Sequence, residues 1–279
     1  MNQNPSASEW AAARGEQWAA NLAGMEAMLH PVDEPLIAAL RLETPSRIAE
    51  VGCGGGGTTL SLAKRAPSGS VVHGFDVSSR LIELARRRVP SDARAIGFDV
   101  ADMATAEPNE PYQRLVSRFG VMFFDEPEAA FANLLRWLEP AGRFAFAVWG
   151  QEAQNECLTT VREVVSRLVE VPKPKADAPG PFRYADSQRL LELLAQAGFG
   201  ELSVAEWRGA LPIGGLLAPV DAARFVLSSF SAYSELLERA GATALADAQQ
   251  ALTSVFASYY SAGAVRLGAS VHLVTGTRP

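Results

Sequence analysis

Glu50 stands two residues before the first glycine of Gly52-Cys-Gly-Gly-Gly-Gly57, and Asp76 ends the segment Ser70-Val-Val-His-Gly-Phe-Asp76. Carboxylates at the ends of two short apolar runs, with a glycine turn between them, suit ligand binding. Glycine permits positive φ and removes the Cβ that would hold a ligand off the backbone. A helix that starts beyond the turn offers N–H groups without intrahelical partners. An acidic residue about twenty positions further on accepts hydrogen bonds from ribose hydroxyls. The expected ligand is an adenosine-containing molecule.

The spacing admits two such molecules. Gly52, Gly54 and Gly57 fit G-x-G-x-x-G, the dinucleotide pattern. Glu50, Gly52, Gly54 and Gly56 fit E-x-G-x-G-x-G. The second pattern aims a carboxylate at the ligand. A pyrophosphate is repelled by that charge and an amino-acid ammonium is held by it. The chemistry favours S-adenosylmethionine; an NAD(P)-dependent oxidoreductase is the alternative.

These residues need a sheet to bring them together. Residues 47 to 149 alternate apolar runs and amphipathic segments, which predicts parallel strands joined by helices. Residues 5 to 42 predict helices interrupted at Pro31 and Pro35. After a turn at Ala141-Gly142, Arg143 to Trp149 predicts a buried strand. Glu152 to Val171 predicts a helix stopped by Pro172. Residues 172 to 185 predict a mobile loop. Asp186 caps a helix that stops at Gly198. Leu202 to Arg208 and Ser270 to Thr275 predict strands around a helical stretch, 212 to 264. In an open α/β sheet, ligands sit outside the carboxyl ends of the strands, where Glu50, Asp76, Asp102 and Ser117 all fall.

Several segments in this order resemble the class I S-adenosylmethionine-dependent methyltransferases. They are Val51-Gly-Cys-Gly54, Phe75-Asp-Val-Ser-Ser79, Ser117-Arg-Phe-Gly-Val-Met-Phe-Phe124 and Leu138-Glu-Pro-Ala-Gly-Arg-Phe144. The chain most resembles a bacterial subgroup with an SRFGVMFF segment. Arg14-Gly-Glu-Gln-Trp18, Met28-Leu-His-Pro31, Pro179-Gly-Pro-Phe182 and Ala269 to Thr275 extend the similarity to both flanks.

The resemblance implies a Rossmann-like α/β fold with a seven-stranded sheet, the last strand entering antiparallel. It implies an N-terminal helical cover (1–42), a cofactor-binding core (43–150), and a remainder (151–279) with a helical cap at about 209–265, all in one structural domain. For the cofactor it implies Glu50 and the loop Gly52, Cys53 and Gly54 at the methionine moiety, and Asp76 at the ribose with Val77 against the adenine. Asp102 would meet the adenine amino group and Met103 cover the ring, with Asp99 a rival for Asp102. Ser117 and Phe119 would lie beside the sulfonium, with Trp18 of the cover among the cofactor contacts. Two departures are Gly55, where Thr or Ser is usual, and Tyr112-Gln113, where Phe-Asp is usual.

An activated methyl group needs an aligned nucleophile, and a general base only where the acceptor is protonated. His30, His73 and His272 are the three histidines, and His30, beside Pro31 at the end of the cover, is the candidate. Aromatic residues, among them Trp10, Trp18, Phe123, Phe124, Trp149, Phe182, Tyr184, Phe225, Phe230, Tyr259 and Tyr260, suggest a small, partly hydrophobic acceptor. With no base identified, a non-catalytic cofactor-binding descendant is the third reading.

The chain has 279 residues, 48% of them hydrophobic, and a net charge of −6. This suits one α/β domain and argues against nucleic acid as substrate. Arg86-Arg-Arg88, the one basic cluster, is expected on a solvated helix face. Cys53 and Cys157 have no metal-ligand spacing, so no metal is expected and a reducing cytoplasm is. The first thirty residues lack the basic start and apolar block of a signal peptide, and no stretch of about 18 apolar residues occurs. The expected partner is a small-molecule acceptor, with no membrane and a monomeric or homodimeric state.

Overall fold

A computed structural model describes residues 7–91, 93, 95–172, 177–241 and 243–279. Its strands are β1 (Arg47–Val51), β2 (Val71–Asp76), β3 (Ile96–Val100), β4 (Tyr112–Arg118), β5 (Leu138–Trp149), β6 (Gly200–Pro212), β7 (Tyr260–Ser261) and β8 (Ala264–Thr277). They form one sheet in the order β3-β2-β1-β4-β5-β8-β6, with β7 paired only to β8. Seven strands therefore make the path and an eighth lies off it. The first five are parallel, and β8 is antiparallel to both β5 and β6. The last four residues of β1 are all buried, because both faces of a parallel sheet are covered. Chain order reverses between β1 and β4, which opens a crevice at the carboxyl ends of those strands.

The cover comprises α1 (Ala7–Ala11), α2 (Ala13–Ala20), α3 (Leu22–Leu29) and α4 (Asp33–Ala39), with a 3-10 turn at His30–Val32. The breaks differ from the expectation. Pro35 lies in the first turn of α4, where its missing N–H costs nothing, and does not interrupt it. The bends come at Ala12 and Asn21 instead, besides the turn at Pro31.

Between the strands run α5 (Gly57–Arg65), α6 (Ser79–Arg87), α7 (Pro127–Trp137), α8 (Glu156–Ser166) and α9 (Ser187–Gln196). Helix α8 ends five residues before the expected Val171. Asp186 caps α9 by accepting from the Gln188 N–H at 3.0 Å, and Gly198 follows at φ +100°. Residues 173–176 of the loop expected to be mobile lie outside the described residues.

The helical stretch is narrower than expected, α10 (Pro219–Ser229), α11 (Ser231–Ala240) and α12 (Ala244–Ser258), because both flanking strands run long. β8 pairs with β5 from Val271 to Thr277, yet it continues to pair with β6 down to Arg266. The overhang, 208–212 against 266–270, is a two-stranded arm that leads into the three helices. These reach back to the cover. Gln17 Nε2 donates to the Ser228 carbonyl at 2.8 Å, and Ser228 Oγ donates to Asn21 Oδ1 at 2.7 Å. Gly24 lets α3 lie against the Phe225 ring, where a Cβ would come within 2.4 Å.

Arg86, Arg87 and Arg88 are exposed, but the expected solvated face is only part of the picture. Arg86 Nε donates to the Phe98 carbonyl at 2.8 Å. Arg88 grips both oxygens of Glu26 at 2.6 and 2.8 Å and also donates to the Gly55 carbonyl. A bidentate guanidinium thus ties α3 to the glycine loop. Among the described residues no helix is long and apolar enough to cross a membrane.

Candidate functional site

Glu50 is 1% exposed at the end of β1, opposite Gly74 of β2 and Val116 of β4. The Thr59 hydroxyl on α5 donates to its carboxylate. Burial pushes the Glu50 carboxyl up to about 8; Thr59 and Arg118 oppose the rise, while Asp33 and Asp76 add to it. Arg118, at the end of β4, is held by the buried Asp33 at 2.8 Å. Asp33 also accepts from Thr58 Oγ1 at 3.0 Å and Ser61 Oγ at 3.3 Å.

Asp76 joins the two loops. Its Oδ2 accepts from the Gly54 N–H at 2.8 Å and its Oδ1 from the Ser78 N–H at 2.9 Å. A carboxylate has about four acceptor sites, so two remain for a ligand. Burial raises its pKa, and the backbone donors hold that rise back. Gly54 itself sits at φ +54°.

Gly55 has a packing reason for its departure from Thr or Ser. A Cβ there would meet Leu22 Cδ2 of α3 at 2.4 Å. Gly55→Ser is expected to destabilise the fold by roughly 1–3 kcal/mol through overpacking, and Leu22→Ala in the same chain to recover most of the part due to this clash. Thermal melts of the three variants check this; additive losses would show that Leu22 is not the obstacle.

One cavity of about 1060 Å³ opens at this edge of the sheet. Of the residues expected at the cofactor, Trp18, Glu50, Gly52, Cys53, Gly54, Asp76, Val77, Asp102, Met103 and Phe119 line it, and Ser117 does not. Ser117 is fully buried, its Oγ donating to the Val51 carbonyl at 2.8 Å and accepting from the Gly120 N–H at 3.2 Å. It fastens the ends of β1 and β4, and its neighbour Arg118 faces the cavity instead. Successive strand residues point to opposite sides, so the choice between them depends on register.

Asp102 and Asp99 separate in the same way. Asp102 lines the cavity in a turn where its Oδ1 accepts from the Ala104 N–H at 2.9 Å. Asp99 lies outside the cavity, 63% exposed and paired with Arg86 at 3.2 Å.

None of the three histidines lines the cavity. His30 follows the buried face of α3 (Met25, Met28 and Leu29) by one position, so its ring turns outward, 68% exposed and 3.2 Å from Asp33. His73 Nδ1 lies 2.8 Å from the Tyr112 hydroxyl within the sheet.

Beyond the cofactor residues the wall is aromatic. Phe119, at φ +63°, stacks on Trp149 with centroids 4.2 Å apart. Trp10 meets Trp18 edge-on at 5.8 Å and Phe123 at 5.0 Å. Phe124, Phe182, Phe230 and Tyr233 complete this part, whereas Tyr184, Phe225, Tyr259 and Tyr260 of the expected set stay outside it. Sequence reasoning missed Arg118 and Arg183, both of which line the cavity. Arg118 could have been found from its neighbour Ser117, but the loop around Arg183 carries no periodic signal. Among the described residues no cluster of His, Cys, Asp and Glu could hold a metal ion.

Residues 48–142 match the family model described as a methyltransferase domain. A trans-aconitate 2-methyltransferase of Variovorax paradoxus is 30% identical over 170 residues, 61% of this chain and 60% of the relative. A malonyl-[acyl-carrier protein] O-methyltransferase of Halalkalibacterium halodurans is 27% identical over 117 residues, 41% of this chain and 43% of the relative. The chain spans less than two thirds of the length of each of these. Among solved structures, the YcgJ protein of Bacillus subtilis superposes with a TM-score of 0.57 at 13% identity, over 89% of this chain and 98% of that one. A phosphoethanolamine N-methyltransferase of Haemonchus contortus in complex with S-adenosyl-L-methionine has a TM-score of 0.51 at 18% identity, over 88% of this chain and 52% of that one. These two similarities establish the fold.

Proposed function

We propose that this chain, which belongs to the class I methyltransferases, binds S-adenosylmethionine and moves its methyl group to a small, partly hydrophobic acceptor. The observation that carries the reading is the convergence of Glu50, Asp76 and Asp102, from three strand ends, on one cavity with an aromatic wall. Its volume of about 1060 Å³ stands at the upper end for small-molecule sites and has room for a cofactor and an acceptor together.

Glu50 would hold the ammonium of the methionine moiety, with the loop of Gly52, Cys53 and Gly54 close against it. The two acceptor sites left on Asp76 suit ribose hydroxyls, and Asp102 with Met103 and Val77 suits the adenine. S-adenosylmethionine supplies an activated methyl that needs no further activation by the protein. What the chain must then do is align the acceptor and exclude water. The cover (1–42) and the cap (about 209–265) would do both, since Trp10 and Trp18 come from one and Phe230 and Tyr233 from the other.

Carboxylates and activated phenols accept a methyl group without a strong base and are the acceptors to test first. Label transfer from methyl-tritiated cofactor into a panel of small carboxylates and phenols tests the reading. Transfer to any of them supports it. Tight cofactor binding with no transfer to any of them would favour a non-catalytic role.

A further inference from the structure

Five arginines line the cavity: Arg14, Arg118, Arg162, Arg183 and Arg189. Four have carboxylate partners. Arg118 pairs with Asp33 at 2.8 Å, Arg162 with Glu152 at 2.8 Å, Arg189 with Asp177, and Arg14 with Glu9 at 3.7 Å. Arg183 makes no ion pair among the described residues. Its one protein acceptor there is the Phe124 carbonyl, which takes Nη1. Nε is buried, and neither it nor Nη2 has a hydrogen bond among the described residues.

The two unpartnered nitrogens are the side-on edge of the guanidinium. That edge presents two parallel N–H groups and grips a carboxylate or phosphate in a fork. The surroundings raise the stakes. Phe124 and Phe182 share the cavity wall with Arg183, and the guanidinium lies 5.7 Å from the centroid of the buried Tyr184 ring. Arg183 is half-buried and, among the described residues, one of its five N–H donors meets a protein acceptor, so an anion on the open edge gains a charge-assisted pairing that the protein does not supply. The backbone also fixes the site. The Gly180 N–H donates to the Met122 carbonyl at 3.2 Å, so residues 180–183 are tied to the segment that follows β4. Trp10, edge-on to Phe123, adds a second buried donor without a partner among the described residues, its indole Nε1.

We infer that the acceptor carries an anionic oxygen group, carboxylate or phosphate, gripped by the Nε–Nη2 edge of Arg183 while its apolar body lies on the aromatic wall. The inference rests on reading this cavity as the acceptor chamber. Arg183 is thus a specificity-determining residue, selecting the charge of the acceptor.

Calorimetric titration tests this with trans-cinnamate, phenyl phosphate and neutral cinnamamide, each run with and without saturating S-adenosylhomocysteine. At least one anion is expected to bind about tenfold or more tightly than the amide, and the stronger anion identifies the group. Arg183→Gln should abolish that gap and Arg183→Lys should keep part of it, with thermal melts confirming that both variants fold. Anions no tighter than the amide in the wild-type protein, or a gap unchanged in Arg183→Gln, would overturn the inference. Failure of S-adenosylhomocysteine itself to bind would instead count against the methyltransferase reading, and the runs without it still test Arg183.

Discussion

Asp76→Ala weakens S-adenosylhomocysteine binding by about 100-fold or more and leaves a folded protein. The size follows from the two acceptor sites on Asp76 that the protein leaves open. Two charge-assisted hydrogen bonds to ribose hydroxyls, at roughly 1.5 kcal/mol each, correspond to about that factor. The same substitution strips the Gly54 and Ser78 N–H groups of their acceptor, so some stability is lost as well. About 1–3 kcal/mol is the expected order for each donor left buried and unmet. Asp76→Asn separates the effects, because it returns one acceptor to the loops but no charge to the ribose. Binding isotherms and melts of both variants check this; unchanged affinity in Asp76→Ala would remove the ribose assignment.

The second large effect is a coupling of protons to ligand and to stability at Glu50. Its folded pKa of about 8 stands above the ordinary 4.5 because burial disfavours the charged form. Between those two values the folded carboxyl keeps a proton that the unfolded chain releases. The contribution of Glu50 to stability is therefore fully present below pH 4.5 and is lost as pH rises through 8. The expected melting temperature of the ligand-free protein falls from pH 5 to pH 8, and Glu50→Gln flattens part of that fall. Asp76, also raised by burial, supplies a slope of the same sign, so only the difference between wild type and Glu50→Gln reports on Glu50.

An ammonium placed beside Glu50 reverses the preference and favours the carboxylate. S-adenosylhomocysteine binding at pH 7 is then accompanied by release of close to one proton. Binding enthalpies in buffers of different ionisation heat would differ by that fraction of the buffer value. Equal enthalpies in every buffer would mean that the ligand's ammonium does not meet Glu50.

The glycine loop, Glu50 and Asp76 were legible in the chain because strand ends and turn residues leave a local signature. What failed was of two kinds. Ser117 and Arg118 are neighbours at one strand end, and which of them faces the cavity is set by pairing with β1, not by any pattern within the segment. Asp99 and Asp102 pose the same problem, since Asp102 enters the cavity only because the strand has already ended. The second kind is long-range. Arg88 looked like surface charge, and its partner Glu26 lies 62 positions away. Arg183 lies in a loop, where residue spacing carries no orientation, and its role depends on Phe124 of another segment. His30 drew notice for its chemistry and its place beside Pro31 at the end of the cover, and the helical period that turns it outward was readable from Met25, Met28 and Leu29.

The most direct test of the central claim is calorimetric titration of the wild-type chain with S-adenosylhomocysteine and, in parallel, NADH. Saturable micromolar binding of S-adenosylhomocysteine with none of NADH is the predicted result. Binding of NADH alone, or of neither ligand, would contradict it.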